Sequence, residues 1–202
     1  MLTYENGDRH EMLEQKEWIQ TWIDEATDNA TPRIWLIGDS IFVGITHAMP
    51  AVTEGKVLVD SLCSSMGADN PHYRAAVELF ADMEQTRRVI VLNNGLHGWH
   101  LDDESAYPAA YDALVGWLRE RFPHTPLYIS LTTDVADDHR ERVLRRNEAA
   151  KAIAAKHGCP VIDMYTVSRQ QVEYRSDDGV HFTPPGYEIF CRTLLAAVKE
   201  NI

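Results

Sequence analysis

Short runs of apolar residues alternate along most of the chain with longer segments of helical periodicity. The apolar runs lie at residues 33–37, 56–60, 88–92, 127–131 and 161–163. The longer segments lie at residues 70–83, 105–121, 138–157 and 187–199. Uninterrupted apolar runs are typical of strands buried on both faces of a parallel sheet, and the periodic segments are typical of helices covering it. The pattern predicts an α/β protein with a five-stranded parallel sheet between two helix layers.

An amphipathic segment precedes the first predicted strand. Its apolar residues recur at mostly helical spacing and are Met12, Trp18, Ile19, Trp22, Ile23 and Ala26. The spacing predicts a helix over residues 11–26, packed on the rest of the protein. Thr31 and Pro32 then interrupt the pattern. The sequence therefore divides into an N-terminal helical segment, residues 1–30, and one domain, residues 31–202.

Gly38-Asp39-Ser40 ends the first apolar run, and a new apolar pattern begins directly after it. Glycine permits a sharp turn, so Ser40 is predicted on a strand-to-helix turn at the carboxyl edge of the sheet. A helix amino terminus at that edge favours developing negative charge. Ser40 is therefore a candidate nucleophile. The alternative is that Asp39 or Ser40 serves only as a helix cap.

A second polar cluster lies near the carboxyl terminus. Asp178 and His181 are three residues apart in a segment rich in glycine and proline, where a tight turn can bring carboxylate and imidazole together. A serine nucleophile needs such a base and an acid that orients it. The spacing favours Asp178 over Asp177 as the partner, and the alternative for His181 is a structural hydrogen bond.

Four blocks in order resemble the GDSL/SGNH hydrolase family: Gly38-Asp39-Ser40, a glycine loop after the second strand, an asparagine after the third, and Asp178-x-x-His181. The resemblance covers about residues 33–199 and implies a flavodoxin-like three-layer α/β/α sandwich. It implies that Ser40 is the nucleophile, His181 the general base and Asp178 the residue that orients it. It also implies an oxyanion hole formed by the backbone N–H groups of Ser40 and Gly67 and an asparagine side chain.

The third block departs from the family pattern Gly-x-Asn-Asp. Matching the pair Asn93-Asn94 makes Asn93 the third oxyanion donor, whereas matching Gly95-Leu96-His97 places an imidazole there. We favour Asn93, because an amide donates at every pH, and Asn94 and His97 are the alternatives. Asp39 and His97 are otherwise assigned to the substrate side of the site. Trp99 either stacks on a substrate or packs internally.

The composition and charge of the chain set expectations for its binding partners and its location in the cell. The chain has 202 residues, 45% apolar and 25% charged, with a formal net charge of -12, so a nucleic-acid partner is not expected. The arginine-rich stretch from Arg140 to Arg146 is interpreted as a solvated helix face. No membrane span and no signal peptide is predicted, so a cytoplasmic location is expected, and three distant cysteines suit a reducing compartment.

No metal or organic cofactor is expected. His97, His100, Asp102 and Asp103 lie close in sequence, but their spacing fits no zinc signature. The expected activity is hydrolysis of a small acyl ester through an acyl-enzyme, with acetyl favoured and a carbohydrate as candidate carrier, because the short loops leave little protein for a long acyl tunnel. The alternatives are an acyltransferase with the same three residues and a binding protein without turnover. The oligomeric state is left open.

Overall fold

A computed structural model describes residues 13–84, 86–101, 106–136 and 139–202. The strands of these residues form one sheet and are β1 (Ile19–Ile23), β2 (Arg33–Gly38), β3 (Leu58–Ser64), β4 (Arg87–Leu92), β5 (Leu127–Ser130) and β6 (Val161–Ile162). The α-helices are α1 (Ser40–Thr53), α2 (Pro71–Met83), α3 (Ala106–Arg121), α4 (Arg140–His157), α5 (Met164–Arg169) and α6 (Pro184–Val198).

The strand order across the sheet is β1-β3-β2-β4-β5-β6, and every pairing except that of β1 is parallel. Without β1 the order is that of flavodoxin-like folds, in which the chain winds outward in both directions from the first parallel strand. Ligands of such sheets bind where the winding reverses, outside the carboxyl ends of the strands. The reversal falls at β2 and β4, so the residues after β2 lie at the favoured ligand position.

The sheet has six strands and not the five predicted, because residues 19–23 form a strand. β1 pairs antiparallel with β3, with Ile19 opposite Ser64 and Ile23 opposite Asp60. The prediction of a helix over residues 11–26 is therefore wrong for residues 13–26, none of which is helical, and Met12 lies outside the described residues. Trp22 is 50% exposed, so pairing of the main chain with the edge of β3, rather than burial of an apolar face, accounts for this strand.

Alternate residues of β2 point into two separate cores, which places the sheet between two helix layers. Ile34 and Leu36 pack in a cluster that contains residues of α1 and α6. Trp35 and Ile37 pack in a second cluster, with residues of α2, α3 and α4. Burial on both faces explains why β2 reads as a continuous apolar run, and it confirms the predicted three-layer α/β/α architecture.

Four helices lie where the periodicity predicts them, within three residues at each end that the structure describes. Asn70 caps α2 by accepting a hydrogen bond from the backbone N–H of His72, and Pro71 occupies its first position. Gly158 ends α4 in the left-handed conformation, which glycine adopts without a steric penalty. The predicted first residues Ser105 and Asp138 lie outside the described residues. No helix in the described part of the chain is long and apolar enough to cross a membrane.

A buried ion cluster joins the three central strands. The Asp60 carboxylate accepts hydrogen bonds from Arg33 Nη1 at 2.9 Å and from Arg87 Nε at 2.8 Å, and the Asp60 side chain is fully buried. The Arg87 guanidinium also lies 4.6 Å from the centre of the Trp35 ring. Because a buried charge without a partner is costly, this cluster depends on all of its members.

Helix α1 packs directly against α6 through a glycine. A Cβ atom on Gly44 would lie 2.1 Å from Cζ of Tyr187, a distance that no real contact allows. The two helices therefore approach closely because Gly44 has no side chain. This packing joins α1, which begins at Ser40, to the carboxyl-terminal helix that follows His181.

Candidate active site

Ser40 is the first residue of α1, directly beyond the carboxyl end of β2. Asp39 caps the helix, because its Oδ1 accepts a hydrogen bond of 3.0 Å from the backbone N–H of Ile41. The Asp39 side chain is 1% exposed, and this burial raises its pKa above the usual range. The helix start therefore fixes Ser40 in place. It also makes Asp39 a buried cap, which does not line the cavity beside Ser40, so the predicted substrate contact of Asp39 is wrong.

The structure brings Ser40, His181 and Asp178 together in one hydrogen-bonded chain. His181 Nε2 lies 2.7 Å from Ser40 Oγ, and His181 Nδ1 lies 2.6 Å from Asp178 Oδ2. A turn at Gly179, which has a positive φ of 76°, lets the three-residue spacing close. Asp177 is exposed and forms no hydrogen bond with the described residues. This is the geometry that activates a serine nucleophile.

The Asp178 carboxylate is held ionised by its surroundings. Partial burial raises its pKa, but the backbone N–H groups of His181 and Val180 and the His181 ring outweigh that effect and lower the pKa to about 2. An ionised carboxylate can only accept hydrogen bonds, so Nδ1 of His181 carries the proton. Nε2 is then the acceptor that faces the Ser40 hydroxyl. The arrangement can take a proton from Ser40.

A cavity of about 220 Å³ opens beside Ser40 and His181. Its apolar wall consists of Leu96, Trp99, Val135, Val143 and Val180. His97, His139 and Arg142 also line it, and the Arg142 guanidinium lies 4.0 Å from the centre of the Trp99 ring. Trp99 is 41% exposed, so part of its ring remains accessible at the mouth. The cavity can hold an apolar group next to the nucleophile.

The loop after β4 differs from the prediction for Asn93. Its side-chain Nδ2 donates to the Ser130 carbonyl at 3.0 Å and to Thr132 Oγ1 at 3.3 Å, so both amide hydrogens tie β4 to the end of β5. Asn94 Nδ2 donates to the Met66 carbonyl at 2.9 Å. Neither asparagine lines the cavity beside Ser40. The structure therefore contradicts the prediction that Asn93 is the third oxyanion donor. Asn94 is no better a candidate, because its amide also donates within the protein and its side chain lies outside the cavity.

His97 is the polar side chain of the third block that lines the Ser40 cavity, next to the apolar Leu96. Its loop is held from α4 by Arg146, whose guanidinium donates to the carbonyls of Gly95, His97 and Gly98 at 3.2, 2.6 and 2.8 Å. Arg146 is 4% exposed, so its interpretation as part of a solvated helix face is wrong. No signal in the sequence singles it out from the neighbouring arginines.

Gly67 lies in the loop after β3 and packs against the His97 loop. A Cβ atom there would lie 3.1 Å from Gly98 Cα and 3.0 Å from Asp69 Oδ1, so a larger residue would push the two loops apart. Its backbone N–H forms no hydrogen bond with the described residues. The role of Gly67 in an oxyanion hole stays a prediction.

The two histidines of the loop after β4 bind separate carboxylates. His97 Nδ1 lies 2.9 Å from Glu14 Oε2, and His100 Nε2 lies 2.8 Å from Asp69 Oδ2. Within residues 13–84, 86–101, 106–136 and 139–202, no three metal-ligating side chains come together. Asp102 and Asp103 lie outside the described residues.

The sheet order and the Ser40 site define a three-layer hydrolase fold with a hydrogen-bonded serine at the switch point of the sheet. The sequence matches the family model of the GDSL-like lipase/acylhydrolase family over residues 36–189. The chain therefore belongs to the GDSL-like lipase/acylhydrolase family, which confirms the predicted resemblance. No curated protein sequence is detectably similar to it.

Solved structures share the fold at low sequence identity. One is a GDSL-like lipase from Bacteroides thetaiotaomicron, at 14% identity and a TM-score of 0.62 over 84% of this chain and 89% of that chain. Another is an acetylxylan esterase from Geobacillus stearothermophilus, at 15% identity and a TM-score of 0.61 over 82% and 93%. A third is an α/β hydrolase from a Lake Arreo metagenome, at 15% identity and a TM-score of 0.63 over 85% of this chain and 97% of that chain. These similarities concern the fold.

Proposed function

We propose that the protein is a serine esterase that hydrolyses short acyl esters through an acyl-enzyme on Ser40. The observation that carries the proposal is the continuous chain from Ser40 Oγ to His181 Nε2 and from His181 Nδ1 to Asp178, with distances of 2.7 and 2.6 Å. Membership of a lipase and acylhydrolase family supports the reaction class. The adjacent apolar cavity supports an acyl group as the part of the substrate that binds.

The reaction needs only groups that this site contains, together with water. His181 Nε2 takes the Ser40 hydroxyl proton as Oγ bonds to the ester carbon, and the carbonyl oxygen becomes an oxyanion. The bond from that carbon to the alcohol oxygen then breaks, and His181 returns the proton to the alcohol. Water, deprotonated by the same imidazole, attacks the acyl-enzyme and releases the acid and Ser40.

The cavity supports acyl groups somewhat longer than acetyl. Its volume is about 220 Å³, whereas a cavity of about 150 Å³ is enough for benzene. An acetyl group fills only part of this space, and the apolar wall gains burial with each added methylene, at about 0.8 kcal/mol. We therefore propose short and medium acyl chains, with acetyl as the lower end of the range.

The alcohol side of the ester is left open by the site. Two solved structures with this fold are described as acetylxylan esterases, at 15% identity. Trp99, partly exposed at the cavity mouth, offers an aromatic face on which a sugar ring could stack. A carbohydrate that carries a short acyl group is therefore our candidate natural substrate, alongside simple alkyl esters.

The experiment that tests this function is hydrolysis of p-nitrophenyl esters with acyl chains of two to eight carbons. We expect turnover in the wild type, a specificity optimum above two carbons, and turnover at background level in Ser40→Ala. Ser176→Ala, a serine of the turn near Asp178, is the matched control and should keep its activity. Added acceptor alcohol should not divert the product into a new ester. A folded wild type without turnover would contradict the proposal, and a new ester would favour the acyltransferase.

A further inference from the structure

The segment before β1 lies against the Ser40 site and brings a carboxylate to it. Glu14 Oε2 lies 2.9 Å from His97 Nδ1, and Glu14 Oε1 accepts a hydrogen bond of 2.8 Å from the backbone N–H of Gly98. The Glu14 side chain is 12% exposed and that of His97 is 18% exposed. Glu14 therefore holds both the ring and the backbone of the loop that lines the cavity.

The segment is itself anchored to the sheet. Glu17 Oε2 accepts a hydrogen bond of 2.6 Å from Ser65 Oγ, and the backbone N–H of Trp18 donates to the same hydroxyl at 2.9 Å. The Trp18 ring meets the His97 ring edge-on, with centroids 6.0 Å apart. Because β1 follows directly, the position of Glu14 is fixed by the edge of β3.

Hydrogen bonding at Nδ1 decides what the other nitrogen of His97 can do. Burial raises the pKa of Glu14, but its hydrogen bonds with His97, Gly98 and Trp99 outweigh that effect and lower the pKa. An ionised Glu14 requires a proton on His97 Nδ1. In a neutral ring Nε2 then has no proton to donate, whereas in the imidazolium both nitrogens donate. Nε2 has no hydrogen-bond partner among the described residues.

The charges around His97 favour the imidazolium. The carboxylates of Glu14, Asp39 and Glu17 act on its ring, and Arg146 donates to its backbone carbonyl. The other titratable and charged groups of the same cavity are His139, Arg142, Asp178 and His181. Burial lowers the pKa of His97, but the hydrogen bond to Glu14 and the nearby carboxylates of Asp39, Glu14 and Glu17 outweigh that effect and raise it. The surroundings of His97 thus favour a protonated donor on the wall of the cavity in which the oxyanion forms.

We infer that His97 is the third oxyanion donor, and that Glu14 is a positioning residue that keeps its imidazole oriented and charged. The inference rests on the proposed esterase reaction, in which negative charge develops on the ester carbonyl oxygen beside Ser40. Asn93 is unavailable because its amide hydrogens are used at the sheet edge. His97 Nε2 supplies instead a charge-assisted hydrogen bond, which is about twice as strong as a neutral one.

This assignment predicts a particular dependence on pH. His181 must be neutral to accept the Ser40 proton, whereas His97 must be charged to donate to the oxyanion. The rate should therefore fall at alkaline pH, as His97 loses its proton. This alkaline limb of the pH profile results from deprotonation of His97. A site whose third oxyanion donor is an amide would not show it.

The test compares pH profiles of kcat in the wild type, His97→Ala, His97→Asn, Glu14→Gln and the control Lys16→Gln, an exposed residue of the same segment. Losing one oxyanion donor costs about a hundredfold to a thousandfold in kcat, which we expect for His97→Ala. His97→Asn should recover part of that loss and remove the alkaline limb. Glu14→Gln should move the limb to lower pH, and Lys16→Gln should match the wild type.

The outcomes separate this inference from the proposed function. A wild type without turnover and without labelling of Ser40 by a phosphonate would overturn both. An active wild type with unchanged kcat in His97→Ala, or with the same alkaline limb in His97→Asn, would overturn the assignment of His97 alone. The His97 pKa, followed by NMR, should fall in Glu14→Gln, and an unchanged value would overturn the role of Glu14.

Discussion

Asparagine in place of Asp178 changes one atom and reverses a hydrogen bond at His181. Asp178 Oδ1 accepts from the backbone N–H groups of Val180 and His181, both at 2.9 Å, and Oδ2 accepts from His181 Nδ1 at 2.6 Å. An asparagine can keep the two backbone hydrogen bonds through its carbonyl oxygen. Its NH₂ group then faces Nδ1, so His181 must accept there and carry its proton on Nε2, opposite Ser40. The base that should receive the Ser40 proton is lost.

The size of the effect follows from this tautomer and from the exposure of the site. Imposing the same tautomer on a buried serine protease triad lowers kcat by about 10⁴-fold. The Asp178 side chain is 51% exposed, so water can partly restore the productive tautomer. We therefore expect a loss in kcat of about 10³ to 10⁴-fold, equivalent to about 4 to 5.5 kcal/mol of transition-state stabilisation.

The assay is hydrolysis of a p-nitrophenyl ester at saturating concentration, with Asp177→Asn as the matched control. Asp177 is the adjacent exposed carboxylate, and its substitution removes the same charge without touching His181. We expect the control to stay within about twofold of the wild type. Equal losses in the two variants would show that general electrostatics, and not the orientation of His181, govern the rate. A loss in Asp178→Asn smaller than tenfold would refute the assignment of Asp178.

Three further predictions concern stability. In thermal unfolding, Gly44→Ala should destabilise the protein by about 1 to 3 kcal/mol, because the new Cβ overlaps the Tyr187 ring. The control Gly116→Ala adds one contact at 3.3 Å, so it should be neutral or stabilising by up to about 1 kcal/mol. Asp60→Asn should cost about 3 to 5 kcal/mol in urea unfolding, since it removes the buried carboxylate that hydrogen-bonds with both Arg33 and Arg87. The pKa of Asp178 falls from 3.8 to about 2 on folding, so the ionised Asp178 should stabilise the folded protein above pH 3.8. This stabilisation should be lost as the pH falls through about 2. The urea midpoints of the wild type and Asp178→Asn should therefore converge in acid.

The central sheet could be predicted because its strands are buried on both faces. β2 is buried along its whole length, and its residues from Ile34 to Ile37 are all apolar, as expected for a strand buried on both faces. Helix ends with a chemical marker could be predicted as well, as at Gly158 after α4. β3 runs to Ser64, four residues beyond the predicted end, because its polar residues are buried by pairing with β1 and not by apolar packing.

β1 could not be predicted from the apolar pattern. Trp18, Ile19, Trp22 and Ile23 satisfy the period of a helix, although Ile19-Gln20-Thr21-Trp22-Ile23 also consists largely of residues that favour strands. What decides between the two is the free edge of β3, which offers main-chain hydrogen bonds to a neighbouring strand. Such an edge exists only in the folded sheet, and it cannot be predicted from the sequence of residues 19–23.

Some residues of the active site could likewise be predicted from the sequence, and others could not. Asp178 and His181 could be paired from their spacing, because a turn of three residues is local. The third oxyanion group depends on which side chain of the loop after β4 faces Ser40, and this is decided by distant partners. Asn93 is drawn to β5, while Glu14 holds His97 at the cavity from a segment more than eighty residues away in sequence. Neither contact has a signal in the motif itself.

The central claim is that His181 activates Ser40 as a nucleophile. The most direct measurement is mass spectrometry of the intact and digested protein after treatment with a serine-directed alkyl phosphonate, in the wild type and in His181→Ala. We predict one adduct, on Ser40, in the wild type, and labelling slowed by at least about a hundredfold in His181→Ala. A folded wild type that remains unlabelled, or that is labelled on another serine, would contradict the account.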